Sequence, residues 1–421
     1  EILKYNRKYS NIVNFEQCQS LVKEKKNNIR SFKLKFLDFI SNCHSFRNSE
    51  MIIDTHLSKF ENLKLNFFFK NFFPNNVNSN TINYKPTNRR KLFKIFDNKK
   101  VKNIDSIFIN LLPKLIPLSF VENYKYLVER SNNLNWPSSP SFIFTSSAFF
   151  GNEVFKIWLA NMVNKNVKYY VGQHGNNYGT HFYYGNKNCV ERRTCNHFIS
   201  WGWQEKKTNV IKGFYFKKPF KRRDNYTQGG LLVINTSIEH NFVPWDTVDY
   251  YLKRLNYVKT FLLNLPSNIC TNTVLRFTEK TNNYNCSQLN DIDDIFKKVK
   301  KDYGKSDLQD LIKKNRLTVF SYDSTGMLQY LNSDIPFIGF WPNFNDHILT
   351  SKRNLYDLLY KNKILFKDPH EASNFVTANW NTLDQWWKSK EVKIAKLKFR
   401  ECFAKNENNV SKSLAEILKS Y

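Results

Sequence analysis

The sequence predicts an α/β fold in which two domains, each wound around a parallel sheet, face one another across a cleft, with a helical N-terminal region in front of them. Three observations predict it. Strand and helix signals alternate from Pro140 onward, the alternation breaks over a basic, glycine-containing stretch, and it restarts at Leu231. Before Pro140 the apolar residues recur at helical spacing instead.

In the first 135 residues, Phe32, Leu34, Phe36, Leu37, Phe39 and Ile40 follow that spacing, and so do apolar positions within Ile104–Leu127. The Asn- and Pro-rich stretch Pro74–Asn88 between them reads as a long loop. Ser141–Ser146 is then a β-rich run that ends in small polar residues. Glu153–Val163, apolar at Val154, Phe155, Trp158, Leu159 and Met162, reads as an amphipathic helix, and Lys168–Gly172 as a second strand. Strand, helix and strand within about 30 residues make a βαβ unit, which implies a parallel, Rossmann-like sheet with ligand-binding loops at its carboxyl edge. Lys217–Gly230 reads as an interdomain linker.

Beyond it, strands are expected at Leu231–Ile234, Thr273–Arg276, Leu317–Ser321 and Ile335–Phe340. Helices are expected at Val248–Leu265, Asp291–Tyr303, from Met327, at Leu355–Tyr360, at Glu371–Trp380 and over a closing segment, Val392–Leu418. The resulting division is a helical region 1–135, a first Rossmann-like part 136–222, a second Rossmann-like domain 231–390 and a C-terminal helix 391–421. A cleft between two such domains is where a ligand belongs.

Composition narrows the function. The 421 residues include 65 Lys and Arg against 36 Asp and Glu, a formal charge of +29, yet the basic residues are spread along the chain. That pattern points to a basic surface favouring anionic substrates or anionic lipid, not to a dedicated nucleic-acid site. Seven scattered cysteines without CxxC pairing argue against a disulfide framework or structural zinc, and for a reducing, cytoplasmic setting. No apolar run reaches the length of a membrane span, and the first residues show no export signal. The eight His are scattered, so no metal is expected. Neither GxxxxGK[ST] nor a GxGxxG after a first strand is present, which disfavours an NTPase and a nicotinamide enzyme.

Three loops fall where such sheets hold ligands. Gln173-His174-Gly175-Asn176-Asn177-Tyr178-Gly179 follows a strand, and its glycines allow close backbone approach while His174 can bind phosphate or exchange a proton near neutral pH. Ser321–Met327 hands a strand over to a helix start, where Ser324, Thr325, Gly326 and free backbone N–H groups would hold a phosphate. The same residues would serve equally as an ordinary helix cap. Arg276, at a strand end, could fork onto a phosphate or carboxylate. Carboxylates near these loops are Glu191, Glu153, Glu239 and Asp323. Phe198-Ile-Ser-Trp-Gly-Trp203 and Trp386-Trp387 read as core packing.

These blocks, Phe142-Ile-Phe-Thr-Ser-Ser147 and Glu153–Ala160 through Gly172–Gly179, Glu191, Phe198–Trp203, Leu275-Arg276, Asp323–Gly326, Pro336–Trp341 and Asp384–Trp387, resemble a family of bacterial transferases of surface-carbohydrate biosynthesis. The resemblance implies a GT-B-like glycosyltransferase related to capsule and O-antigen enzymes, some of which transfer the ulosonic acid Kdo from its CMP-activated form. It places His174 and Tyr178 in the active-site loop, makes Glu191 an active-site carboxylate and assigns Ser324 and Thr325 to donor phosphate. Two residues depart from its pattern: Asn176 replaces a second Gly, and Asn196 replaces an Asp before the Trp-Gly-Trp segment.

The expectation is a metal-independent enzyme with no cofactor beyond its nucleotide-sugar co-substrate. His174 and Glu191 would be catalytic, and Gln173, Tyr178, Arg276, Asp323, Ser324, Thr325 and Gly326 would bind substrate. The acceptor would be a glycan or lipid-linked molecule, reached from the cytoplasm with peripheral contact on the anionic inner face of the membrane. An epimerase or polyol-phosphate transferase on the same scaffold, or a degenerate, non-catalytic relative, are the alternatives; Asn196 speaks for the last.

Overall fold

The computed structural model describes residues 48–72, 116–121, 123–182, 187–221, 229–235, 248–277, 294–343 and 346–420. The expectations for Phe32–Phe46, Pro74–Asn88 and Glu239, for most of Ile104–Leu127 and for half of the linker, lie outside them.

Two all-parallel sheets organise the chain. The first has the order β1 (Met51–Ile53), β2 (Phe142–Thr145), β3 (Lys168–Gly172), β4 (His197–Ile199), β5 (Val210–Ile211). Its inner strands are buried on both faces, which explains why Phe142-Ile-Phe and Tyr169-Tyr-Val are continuous apolar runs instead of alternating ones. The second runs β11 (Leu365–Phe366), β10 (Phe337–Phe340), β9 (Asn315–Phe320), β6 (Gly230–Ile234), β7 (Thr273–Arg276), β8 (Lys300–Asp302). The first of these in the chain, β6, is central: β7 and β8 are added on one side, β9 to β11 on the other. The chain therefore reverses its direction of winding between β6 and β9, and parallel sheets open a ligand crevice at such a switch point. This two-sheet plan is the GT-B-like α/β arrangement expected from the sequence.

The helix Glu153–Val163 and the strands β3 and β7 have the expected bounds. Other elements differ. The N-terminal region, expected to be helical, contributes β1, which pairs with β2 through Met51↔Ile143. Where one helix was expected over Asp291–Tyr303, a short helix, Asp294–Lys298, gives way to β8. That strand reads Lys-Lys-Asp because it is a sheet edge, where charge discourages further pairing and erases the apolar signature.

The closing segment is two helices, Lys390–Phe403 and Val410–Ser420, not one. The first packs beside the second sheet, its Phe399 ring 5.1 Å from Tyr356, and the second returns to the first sheet, where Ser411 donates to the backbone oxygen of Glu61, 2.9 Å away in the helix Lys59–Phe68. Lys405 strengthens the join, its N–H donating to the Trp201 oxygen and its own oxygen accepting from the Tyr215 N–H.

Candidate active site

The carboxyl edge of the first sheet carries the loop 173–179. Gly179 has φ +75°, and a Cβ there would lie 2.5 Å from the Trp203 ring, so both conformation and space demand glycine. Gln173 is buried and organises the loop from within. Its carbonyl oxygen accepts from the Trp201 N–H (2.9 Å) and from Trp203 Nε1 (2.8 Å), while its amide donates to the Gly175 oxygen (2.9 Å). Both tryptophans are core, as expected.

His174 is half-buried among rings: Phe150 at 4.8 Å, Tyr178 at 5.1 Å and His56 at 6.0 Å between centroids. The Tyr178 hydroxyl lies 3.3 Å from each of its ring nitrogens, so the contact holds the ring without choosing a tautomer. That hydroxyl donates to Glu191 Oε1 at 2.8 Å. Glu191 is itself buried, behind Tyr178 as seen from His174. Burial, then the neighbouring His56 and Lys217, lower the His174 pKa to about 3. The imidazole is accordingly neutral at physiological pH. Burial also pushes the thiols of Cys189 and Cys195 up to about 12, so neither is a ready nucleophile.

Five side chains tie this loop to the second sheet. The Asn176 N–H donates to Thr325 Oγ1 (2.9 Å), and its side-chain amide donates to Asp323 Oδ1 (2.5 Å). Asp323 Oδ2 lies 3.0 Å from His181 Nε2 and accepts from the Tyr356 hydroxyl at 3.0 Å. The Asp323 carboxylate, expected to bind substrate, is thus filled by protein groups and buried between the two halves. Asn176, a departure from the resembled pattern, supplies one of those bonds.

Across from it, a pocket of about 400 Å³ opens at the switch point of the second sheet. Its walls are the ends of β6 (Ile234, Asn235), β7 (Arg276) and β9 (Phe320), Lys217, and the start of the helix Thr325–Ser333. Ser324 Oγ accepts from the Gly326 N–H at 3.0 Å, the ordinary capping bond. Arg276 is held by Asp302 (2.8 Å) and the Ser306 oxygen (2.9 Å), which fixes the guanidinium at the rim. Burial lowers the pKa of Lys217, which lines this pocket and also acts electrostatically on His174. A larger crevice of about 840 Å³ lies along β8 and the amino ends of β6, β7 and β9, with no residue of the His174 loop in its walls.

The structure therefore brings Gln173, His174, Tyr178 and Glu191 together on one side, and Arg276, Ser324, Thr325 and Gly326 on the other, with Asp323 between them. It does not bring Asn196 to either. That residue precedes β4 on the opposite edge of the sheet, where its side chain accepts from the Tyr169 N–H at 2.8 Å. Sequence reasoning missed His56, Lys217, Asn235, His181 and Tyr356. Only Lys217 carried a signal, as the first residue of the basic stretch read as a linker. Among the described residues no cluster of three His, Cys, Asp or Glu could hold a metal ion, and no helix is long and apolar enough to cross a membrane.

No curated protein matches the chain in sequence. Among solved structures, it is similar to S. aureus MnaA with UDP (10% identity, 88% of this chain and 96% of that one, TM-score 0.44). It is also similar to Acinetobacter baumannii MurG (10%, 88% and 99%, 0.39) and to the spinosyn rhamnosyltransferase SpnG with thymidine diphosphate (10%, 71% and 79%, 0.35). At this identity these are likenesses of form alone. A sequence profile is decisive where they are not: it is described as LIC12162 family transferase and matches residues 1–418, so the chain belongs to the LIC12162 family of transferases.

Proposed function

We propose that the protein is a glycosyltransferase that moves a sugar from a nucleotide donor to a glycan or lipid-linked acceptor. The observation that carries this reading is the pocket at the switch point of the second sheet, lined by Lys217, Arg276 and the helix start at Ser324–Gly326, opposite the half-buried His174. Two cationic side chains at the positive end of a helix dipole suit a diphosphate or monophosphate.

In the proposed reaction an acceptor hydroxyl oxygen forms a bond to the anomeric carbon while the bond from that carbon to the donor phosphate breaks. His174 takes the hydroxyl proton, and the electron pair leaves on phosphate, where Lys217, Arg276 and the helix start stabilise it. The neutral imidazole is in the form needed to accept a proton. An anionic donor offsets the field of Lys217, so donor binding raises the proton affinity of His174 when it is required. Glu191 acts through Tyr178 as a positioning residue, and Phe150, 52% exposed beside His174, offers a ring face to an acceptor sugar.

Fixed protein cations in place of a divalent ion make the proposed transfer metal-independent, and a carboxylated donor sugar such as a CMP-activated ulosonic acid suits the Lys217, His56 and His174 cluster. The Asn196 position lends no support to a degenerate enzyme, since it lies on the far edge of its sheet. The test is a thermal-shift comparison of CMP, CDP, UDP, GDP and dTDP, with and without EDTA. A rise of a few degrees for one nucleotide, indifferent to EDTA, is expected; no response to any of them would remove the donor site.

A further inference from the structure

The helix Lys59–Phe68 has two apolar faces where a surface helix needs one. Leu65 in the helix and Phe69 just beyond it are buried, with the Phe69 ring 5.0 Å from Phe142, and the helix is capped and packed through Glu61 and Ser411. On its other side Phe60, Phe67 and Phe72 are 65%, 61% and 64% exposed, joined by Leu63 and Phe68. Phe60, Leu63 and Phe67 recur at i, i+3 and i+7, one stripe along the helix, and the Phe67 and Phe72 rings meet edge to face at 6.0 Å. Isolated exposed apolar residues need no explanation, but a contiguous aromatic stripe of this kind marks a contact surface.

Charge selects the occupant. Lys59, Lys64 and Lys70 are exposed on and beside the stripe, and Lys64 holds its ammonium 4.3 Å from the centre of the Phe60 ring. The one acid of the helix, Glu61, is taken by Lys64 at 3.2 Å and by Ser411. Phenylalanines flanked by lysines, in a chain of net charge +29, complement a surface that is apolar beneath and negative above. Position agrees with this. The helix begins three residues after His56, whose ring faces His174, so its amino end stands at the mouth of the candidate active site.

We propose that the exposed face of Lys59–Phe68, extended by Lys70 and Phe72, seats the protein on an anionic phospholipid bilayer, with Phe60, Phe67 and Phe72 entering the interface and Lys59, Lys64 and Lys70 contacting lipid phosphates. It complements the lipid-linked acceptor of the proposed reaction, but vesicle binding is read without turnover, so either can fail while the other stands.

The test is co-sedimentation of the full chain with vesicles of phosphatidylcholine alone and of equal parts phosphatidylcholine and phosphatidylglycerol. Partition onto the anionic vesicles is expected, weakened by salt. F60S/F67S/F72S should reduce it by at least about tenfold with an unchanged melting temperature, since these side chains are already exposed. K59E/K64E/K70E should abolish the preference for phosphatidylglycerol, and it decides the matter if the first variant folds poorly. Absence of binding, equal binding to both vesicle types, or unchanged binding by the variants would overturn the proposal. So would self-association without lipid that the same phenylalanine substitutions abolish, which would assign the face to a second copy of the chain.

Discussion

The two sheet edges that face each other across the cleft are built by opposite means. On the first, the chemistry lies in side chains gathered from far apart: His56 after β1, Phe150 after β2, His174 and Tyr178 after β3, Glu191 before β4. On the second, the pocket comes from topology, a crevice where winding reverses, lined by strand ends and one helix start. The first edge is half-buried and crowded with rings, so it controls proton affinity and orientation. The second is more open and cationic, so it suits binding of charge. Lys217 belongs to both, lining the pocket and depressing His174.

If this division is right, damage to the first edge should remove turnover while sparing nucleotide binding. His174→Ala is expected to lower the transfer rate by about 10²- to 10⁴-fold, with the melting temperature and the nucleotide-induced shift unchanged. Normal turnover in that variant would end the role of His174. The join between the edges should respond differently. Asp323→Ala leaves the Asn176 amide, His181 and the Tyr356 hydroxyl without their shared acceptor, and the expected loss is about 3–5 kcal/mol of stability in denaturant unfolding. A loss below about 1 kcal/mol would mean that the halves are held by other contacts.

Lys217→Ala separates the two contributions of one residue. It should weaken nucleotide binding about tenfold and, by removing a cation beside the imidazole, move the His174 pKa upward. Calorimetric titration reads the first effect and the ring-proton shifts of His174 against pH read the second. Weaker binding with an unmoved imidazole would detach Lys217 from the first edge.

The same contrast governs what could be read from the chain. The carboxyl half of the fold was legible because its inner strands are short, apolar-centred runs between turn residues: Leu231–Ile234 follows two glycines and is apolar throughout, and Thr273–Arg276 keeps a Val-Leu centre. Met51–Ile53 and Val210–Ile211 are too short to show a period, and Lys300–Asp302 shows a charged one because it is an edge. In the site, His174 and Ser324 stood out because each follows a strand and has a glycine within two residues. His56 and Lys217 did not, because what qualifies them is proximity to His174, and their own neighbours in sequence say nothing of it. Asp323 and Arg276 were recognised as polar groups at a strand end, yet their protein partners Tyr356, His181 and Asp302 appear only once the chain is folded.

The last expected effect is on acid stability, and its sign follows from the depressed imidazole. In the unfolded chain His174 takes its proton near the usual 6.5, whereas in the folded chain it does so near 3. Between those values the unfolded state binds the extra proton, so stability is complete above about pH 6.5 and declines as pH falls toward 3. Other groups titrate over the same range, so the comparison is between the protein and His174→Gln, measured by denaturant unfolding at intervals from neutral to acid pH. The variant should show a shallower decline, with the difference confined to this window. Saturating nucleotide sharpens the test. If phosphate charge offsets Lys217, the His174 pKa rises on binding, and the difference between the slopes of the two proteins narrows. Parallel slopes without ligand would mean that His174 is not held neutral by its surroundings, and the first edge would then lack the control of proton affinity that distinguishes it from the second.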